Sequence, residues 1–114
     1  MKYDYGARPY NSYHVTAVVT AKSDDGDHYT IEGLLMGDCH LSSGVEQYMA
    51  LEYASSRESW KTIQAPCPTE GGVRFRESGI LSNSGDGKVH LRAGAWGGTI
   101  AGSWGWGDTT IVVV

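Results

Sequence analysis

The residues best equipped for chemistry are two cysteines, four histidines and four tryptophans among 114 residues. Cys39 is followed directly by His40, which suggests a thiolate nucleophile and its base. Neighbours on an extended chain point to opposite sides, however, so His40 is badly placed to take the Cys39 proton. No Cys-x-x-Cys or His-x-x-x-His spacing offers a metal site. No Gly-x-Ser-x-Gly elbow or phosphate-binding loop is present. Asp24, Asp25 and Asp27 sit together, with Asp38 further on. Calcium would use such carboxylates, but the twelve-residue pattern of a calcium loop is missing, and an acidic solvated turn is the simpler reading. His14 and His28 open strand-like runs and are expected to face each other across a hairpin as polar strand-end residues. Glu32, Glu46, Glu52 and Glu58 carry no feature that sets an acid pair apart for glycoside hydrolysis. These are read as ordinary strand-face and turn carboxylates. The expectation is therefore of no catalytic residues, no metal and no cofactor.

The cysteines suit a different role. An even count in a small Gly-rich chain fits one disulfide, Cys39–Cys67. Such a bridge stabilises by about 3–4 kcal/mol on a chain-entropy estimate. Two buried thiols in a reducing compartment would be the alternative. The N-terminal residues MKYDYGARPYNSYH have no apolar run of the signal-peptide type. With the cysteine pair, this favours the mature form of a secreted protein.

Tryptophan is the most informative residue type. Trp96, Trp104 and Trp106 lie close together among glycines, and residues two apart on a strand share a face. Two such rings either fill a core or form a binding platform, since Trp is enriched at interaction hot spots. A small domain needs its apolar area, which favours core for these rings and for Trp60. Arg74, Arg76, His90 and Arg92 face away from the apolar side of their runs. They would form a basic stripe if those two runs were neighbours, or else keep the sheet soluble. The candidate ligand-binding residues are thus Trp96, Trp104, Trp106, Arg74, Arg76 and Arg92.

These side chains need a scaffold, and the pattern predicts strands. Residues 14–22 alternate, with Val15, Ala17 and Val19 on one face. A Ser-Asp-Asp-Gly-Asp turn leads to 28–36, with Tyr29, Ile31 and Leu35 together. Residues 47–55 place Met49, Leu51 and Tyr53 on one side; a short helix is the competing assignment there, on propensity. Further strands are expected at 60–65, 73–77, 88–93 and 109–114. Val73 and Phe75 point inward from one of them, and Val89, Leu91 and Ala93 from another. Residues 1–13 read as an irregular, Tyr-rich arm, and 14–114 as one domain. Seven short strands separated by turn signals indicate an all-β antiparallel sandwich.

Leu51, Tyr53, Trp60, Thr62, Asp86, Gly87, Lys88, Leu91 and Arg92 carry a recognisable cadence. Through it the chain resembles immunoglobulin-like or fibronectin-like β-sandwich domains of secreted bacterial proteins, particularly actinobacterial ones. The resemblance implies recognition, adhesion or spacing. The cysteines depart from the central immunoglobulin pair, which joins the second strand to the sixth.

The net charge of −4 argues against a general nucleic-acid binder, which needs a basic footprint. No run is apolar enough for a membrane span. The expected function is a secreted, non-enzymatic binding module for a protein or carbohydrate, acting as a monomer or weak homo-oligomer. It would grip through the Trp/Gly segment, the arm or the end loops. A small inhibitor or toxin-like effector acting through loop 37–46 is one alternative. An assembly subunit pairing at its sheet edges is another.

Overall fold

The computed structural model describes residues 1–6, 12–40, 46–81, 86–97 and 103–114. Pro9 and Tyr10 of the expected arm lie outside the described residues. So do 41–45 of the polar loop, 82–85 of the Asp-Gly turn and 98–102 of the Trp/Gly segment. The described residues form nine strands and no helix: β1 Lys2–Tyr5, β2 Ser12–Lys22, β3 His28–His40, β4 Tyr48–Ser55, β5 Lys61–Pro66, β6 Val73–Ile80, β7 Lys88–Gly97, β8 Ser103–Trp106 and β9 Thr110–Val113.

Every pairing is antiparallel. One sheet has the order β1-β2-β3-β6. The other runs β5-β4-β7, and β8 and β9 share the free edge of β7. Two strands go beyond the seven expected. Lys2–Tyr5 pairs with Tyr13–Thr16 as edge strand β1, so this part of the arm is regular. Four polar and aromatic residues show no alternation, which is why the pairing is invisible in sequence. β8 arises inside the Trp/Gly segment. The strand order also differs from that of immunoglobulin constant domains, whose second and third strands lie in different sheets. Here β2 and β3 form one long hairpin.

The core lies between the sheets and follows the alternation closely. Tyr13, Val15 and Ala17 of β2 meet Tyr29, Ile31 and Leu35 of β3. Opposite them stand Met49, Leu51 and Tyr53 of β4 and Val89, Leu91, Ala93 and Ala95 of β7. Residues 48–55 are a strand, because Met49, Leu51 and Tyr53 reach this core only at period two. Cys39 and Cys67 form a disulfide that ties β3 to the end of β5.

The hairpin sets which polar groups meet. His14 lies near the start of β2 and therefore opposite Asp38 near the end of β3, not opposite His28. His14 pairs with Asp4 at 3.0 Å, and His40 with Asp38 at 2.8 Å. Asp25 folds the β2–β3 turn. Its Oδ1 accepts the backbone N–H groups of Asp27 and His28, and its Oδ2 lies 3.1 Å from His28 Nδ1. Those bonds from His28 and Asp27 hold its carboxyl at a pKa of about 2.

Glu58 is the residue whose role is least apparent in sequence. It lies in the turn after β4 and links both sheets. Oε1 accepts the Tyr29 hydroxyl at 2.6 Å and the Ser55 N–H at 3.0 Å. Oε2 accepts the Ile80 N–H at 3.2 Å and sits 2.7 Å from Lys61 Nζ. Ser55 reinforces the link by donating its hydroxyl to the Ile80 carbonyl at 2.5 Å. Burial alone would raise the Glu58 pKa, but bonds from Lys61, Tyr29, Ser55 and Ile80 outweigh it and hold it at about 2. Burial, with the bond to Glu58, pushes the Tyr29 hydroxyl pKa upward.

A carboxyl with a depressed folded-state pKa contributes stability above its unfolded pKa and loses it as pH falls through the folded one. Glu58→Gln is expected to lower unfolding free energy at pH 7 by about 2–3 kcal/mol. Wild-type stability should decline between about pH 5 and pH 2, and the variant should decline less, with the lowered carboxyls of Asp25, Asp4 and Asp86 supplying the remainder. Urea denaturation across that range measures both; parallel pH profiles would contradict the assignment.

Candidate functional site

Alternation that fills the core also decides what faces outward. On β7, Val89, Leu91, Ala93 and Ala95 are buried inside, so His90, Arg92, Gly94 and Trp96 lie on the outer face. On β4 the outward set is Tyr48, Ala50, Glu52 and Ala54. β8 pairs Trp104 with Trp96 and Trp106 with Gly94, which puts both indoles on that same face. Trp104 is 38% exposed. The expectation of core burial for Trp96, Trp104 and Trp106 is thus overturned, because the inward positions of this sheet are already filled by smaller residues.

Trp60 is a second correction. It precedes β5 and is 39% exposed. Lys61, Ile63 and Ala65 take the inner side, leaving Trp60, Thr62 and Gln64 outside. A lysine faces inward because its amine is satisfied. It meets Glu58, donates to the Ser78 carbonyl at 3.1 Å, and lies over the rings of Tyr29 and Tyr53.

The outward side chains assemble into a ladder. The Arg92 guanidinium sits 4.6 Å from the Trp60 ring and 4.8 Å from the Trp106 ring. Trp106 stacks on Trp104 with centroids 5.2 Å apart and planes 11° apart. At one side Tyr48 packs against Trp96 at 5.6 Å, its hydroxyl donating to Glu46 at 2.7 Å. Arg92 Nη2 also reaches both oxygens of Glu52, at 3.3 and 3.4 Å. These bonds are long for a charge-assisted pair, and Arg92 Nε is buried with no acceptor among the described residues. Stacking between two indoles therefore fixes the arginine more than its hydrogen bonds do.

Two glycines make room for this arrangement. A Cβ on Gly94 would collide with the Trp106 ring, and one on Gly105 would collide with the Tyr3 hydroxyl beneath β8. Tyr3 of β1 thus supports the aromatic strand from the core side.

Beside Trp60 the surface dips into a recess of about 430 Å³, lined by Ala54, Ser55, Ser56, Glu58, Ser59, Trp60 and His90. Among the described residues no group of three His, Cys, Asp or Glu side chains is arranged to hold a metal. Cys39 is in a disulfide and cannot act as a nucleophile.

The structure brings together Trp96, Trp104, Trp106 and Arg92 from the sequence-derived candidates. It separates Arg74 and Arg76 from them. β6 pairs with β3 at the edge of the first sheet, whereas β7 is central in the second, so no basic stripe forms with His90 and Arg92. His90, expected as part of the basic stripe, completes the outer face together with Tyr48, Glu52 and Trp60, which were not singled out as binding residues. The usable signal was the other parity of the two central strands, which carries the remaining aromatic and charged residues in phase.

Comparison with protein-family models, with curated proteins and with solved structures finds no significant match. The chemistry of this face is therefore the basis for assigning a role.

Removing Arg92 should unseat Trp60 and leave Glu52, which is 8% exposed, without its counter-charge. Arg92→Ala is expected to cost about 2–3 kcal/mol of stability and to raise acrylamide quenching of tryptophan fluorescence. Arg92→Met combined with Glu52→Gln should recover part of the loss. Unchanged quenching in Arg92→Ala would contradict the ladder.

Proposed function

We propose that the protein is a secreted, non-catalytic recognition module that binds carbohydrate through the outer face of its second sheet. One observation carries this reading: the aromatic side chains on the two outer faces are distributed unequally. The second sheet presents Tyr48, Trp60, Trp96, Trp104 and Trp106 outward. The outer face of the first sheet carries Lys2, Asp4, His14, Thr16, Glu32, Asp38, Arg74 and Arg76 around the aliphatic side chains of Val18, Leu34, Met36 and Ile80. Partly exposed amphipathic rings with polar neighbours suit a ligand that is apolar on its ring faces and hydroxylated at its edges. The Cys39–Cys67 bridge supports an oxidising compartment.

Affinity electrophoresis in gels containing soluble β-glucan, xylan, mannan or starch tests the reading. Retardation is expected with at least one polymer. The Trp60→Ala/Trp104→Ala double variant should weaken that binding by at least about tenfold. No retardation, or retardation untouched by the substitutions, would refute it. Capture of a protein by this face in place of a glycan would also refute it.

A second reading, assembly through sheet edges, rests on β9 alone. Residues 109–114 carry no charge and no proline, and Ile111 and Val113 are 52% and 69% exposed. Edges of this kind usually carry protection against strand addition. Light scattering that rises with protein concentration and is abolished by Val113→Lys would support assembly; a constant monomer mass would end it.

A further inference from the structure

Stacking within the ladder leaves few indole faces for a ligand. Trp106 has Arg92 near one face and Trp104 against the other. Trp60 has Arg92 over its ring, is 39% exposed, and lines the recess. The ladder is therefore accessible chiefly at its ends, and among the described residues the Trp60 end lines a recess.

The polar groups around that concavity divide into two kinds. Glu58 and the Ser55 hydroxyl already link the two sheets. Ser56 donates to Asp86 at 3.0 Å, which leaves its oxygen able to accept. The His90 imidazole and the Ser59 hydroxyl have no hydrogen-bond partner among the described residues, and both line the recess. A flat apolar wall thus faces several uncommitted donors and acceptors. Near the rim Glu58 is paired with Lys61, and Asp86 accepts the backbone N–H of Lys88 and lies within electrostatic reach of Lys88 and His90. Each of these carboxylates already has a basic neighbour, which favours a ligand without charge. The recess volume of about 430 Å³ falls within the size range of small-molecule sites.

We propose that the recess between Trp60 and His90 is the subsite for one neutral pyranose ring, stacked on the exposed part of the Trp60 ring. His90, Ser59 and Ser56 bond its hydroxyls. This rests on the carbohydrate reading above and narrows it to one ring at one end of the ladder. Trp104, at the opposite end, contributes only to contacts with a longer chain.

The four tryptophan indole N–H signals of the ¹⁵N-labelled full chain provide the test. The probes are the methyl glycosides of glucose, galactose, mannose and N-acetylglucosamine, with glucuronic acid and glucosamine as charged controls. At least one neutral glycoside should shift the Trp60 signal saturably, with a smaller effect at Trp104. Trp60→Ala should weaken its binding by at least about tenfold, and His90→Ala by about three- to tenfold. Thr16→Ala, on the outer face of the first sheet, should leave it unchanged. Trp60 is exposed, so its variant should keep the wild-type circular-dichroism spectrum. The subsite is refuted if no glycoside moves the Trp60 signal, if Trp60→Ala binds within twofold of wild type, or if the charged sugars bind equally well. Polymer retardation that persists in Trp60→Ala and depends on Trp104 would refute the subsite and keep the outer-face reading. Failure of both glycosides and polymers would refute both.

Discussion

Strict alternation along β4 and β7 constrains everything else in this protein. Both strands are central in their sheet, so each residue placed in the core fixes its neighbours on the outer surface. Once Leu51, Leu91 and Ala93 are buried, Glu52 and Arg92 must stand side by side outside. The register pairs these two directly. A shift of one residue would bury an arginine and a glutamate and expose the core, at a cost that no surface contact could offset. The position of the ion pair, and hence of the rings that enclose it, follows from the packing on the other side of the sheet.

Small residues at key outward positions turn that constraint into a shaped surface. Ala50, Ala54 and Gly94 lie low on the outer face, and larger rings lean over them. Arg92 then acts as a spacer that holds Trp60 and Trp106 apart at stacking distance. Glu58 adds a second constraint at the edge of the recess. The contacts that join the two sheets there also position the turn that carries Ser56 and Ser59. Stability and the shape of the recess are therefore coupled through one carboxylate. A binding surface built on strands and clasped in this way loses little conformational freedom when a ligand arrives.

Much of the scaffold was legible in the sequence, because β-branched and aromatic residues at period two mark strands whatever their partners. Val15, Ile31, Leu51, Phe75 and Leu91 were all assigned to the correct side, and the single cysteine pair left one choice of bridge. What was not legible depends on contacts between distant residues. β1 has no alternation of its own and exists because β2 offers a free edge. The phase of β5 was misjudged because Lys61 reads as a solvent residue until Glu58 and the Tyr29 and Tyr53 rings are seen around it. The basic stripe required β6 and β7 to be neighbours, and strand order is not encoded in either strand. Glu58 looked ordinary because its partners Tyr29 and Ile80 lie far away in the chain. Nothing local distinguishes an outward indole from a buried one, so the tryptophans could be placed only once the inward positions were counted and found full.

The most direct test of the central claim is backbone amide chemical-shift mapping with a short oligosaccharide cut from a polymer that retards the protein. The account predicts perturbations concentrated on β4, on β7 and β8, and on the turn from Ser56 to Trp60, with β1, β2, β3 and β6 quiet. Perturbations centred on the first sheet, or on the β2–β3 turn around Asp25, would contradict it.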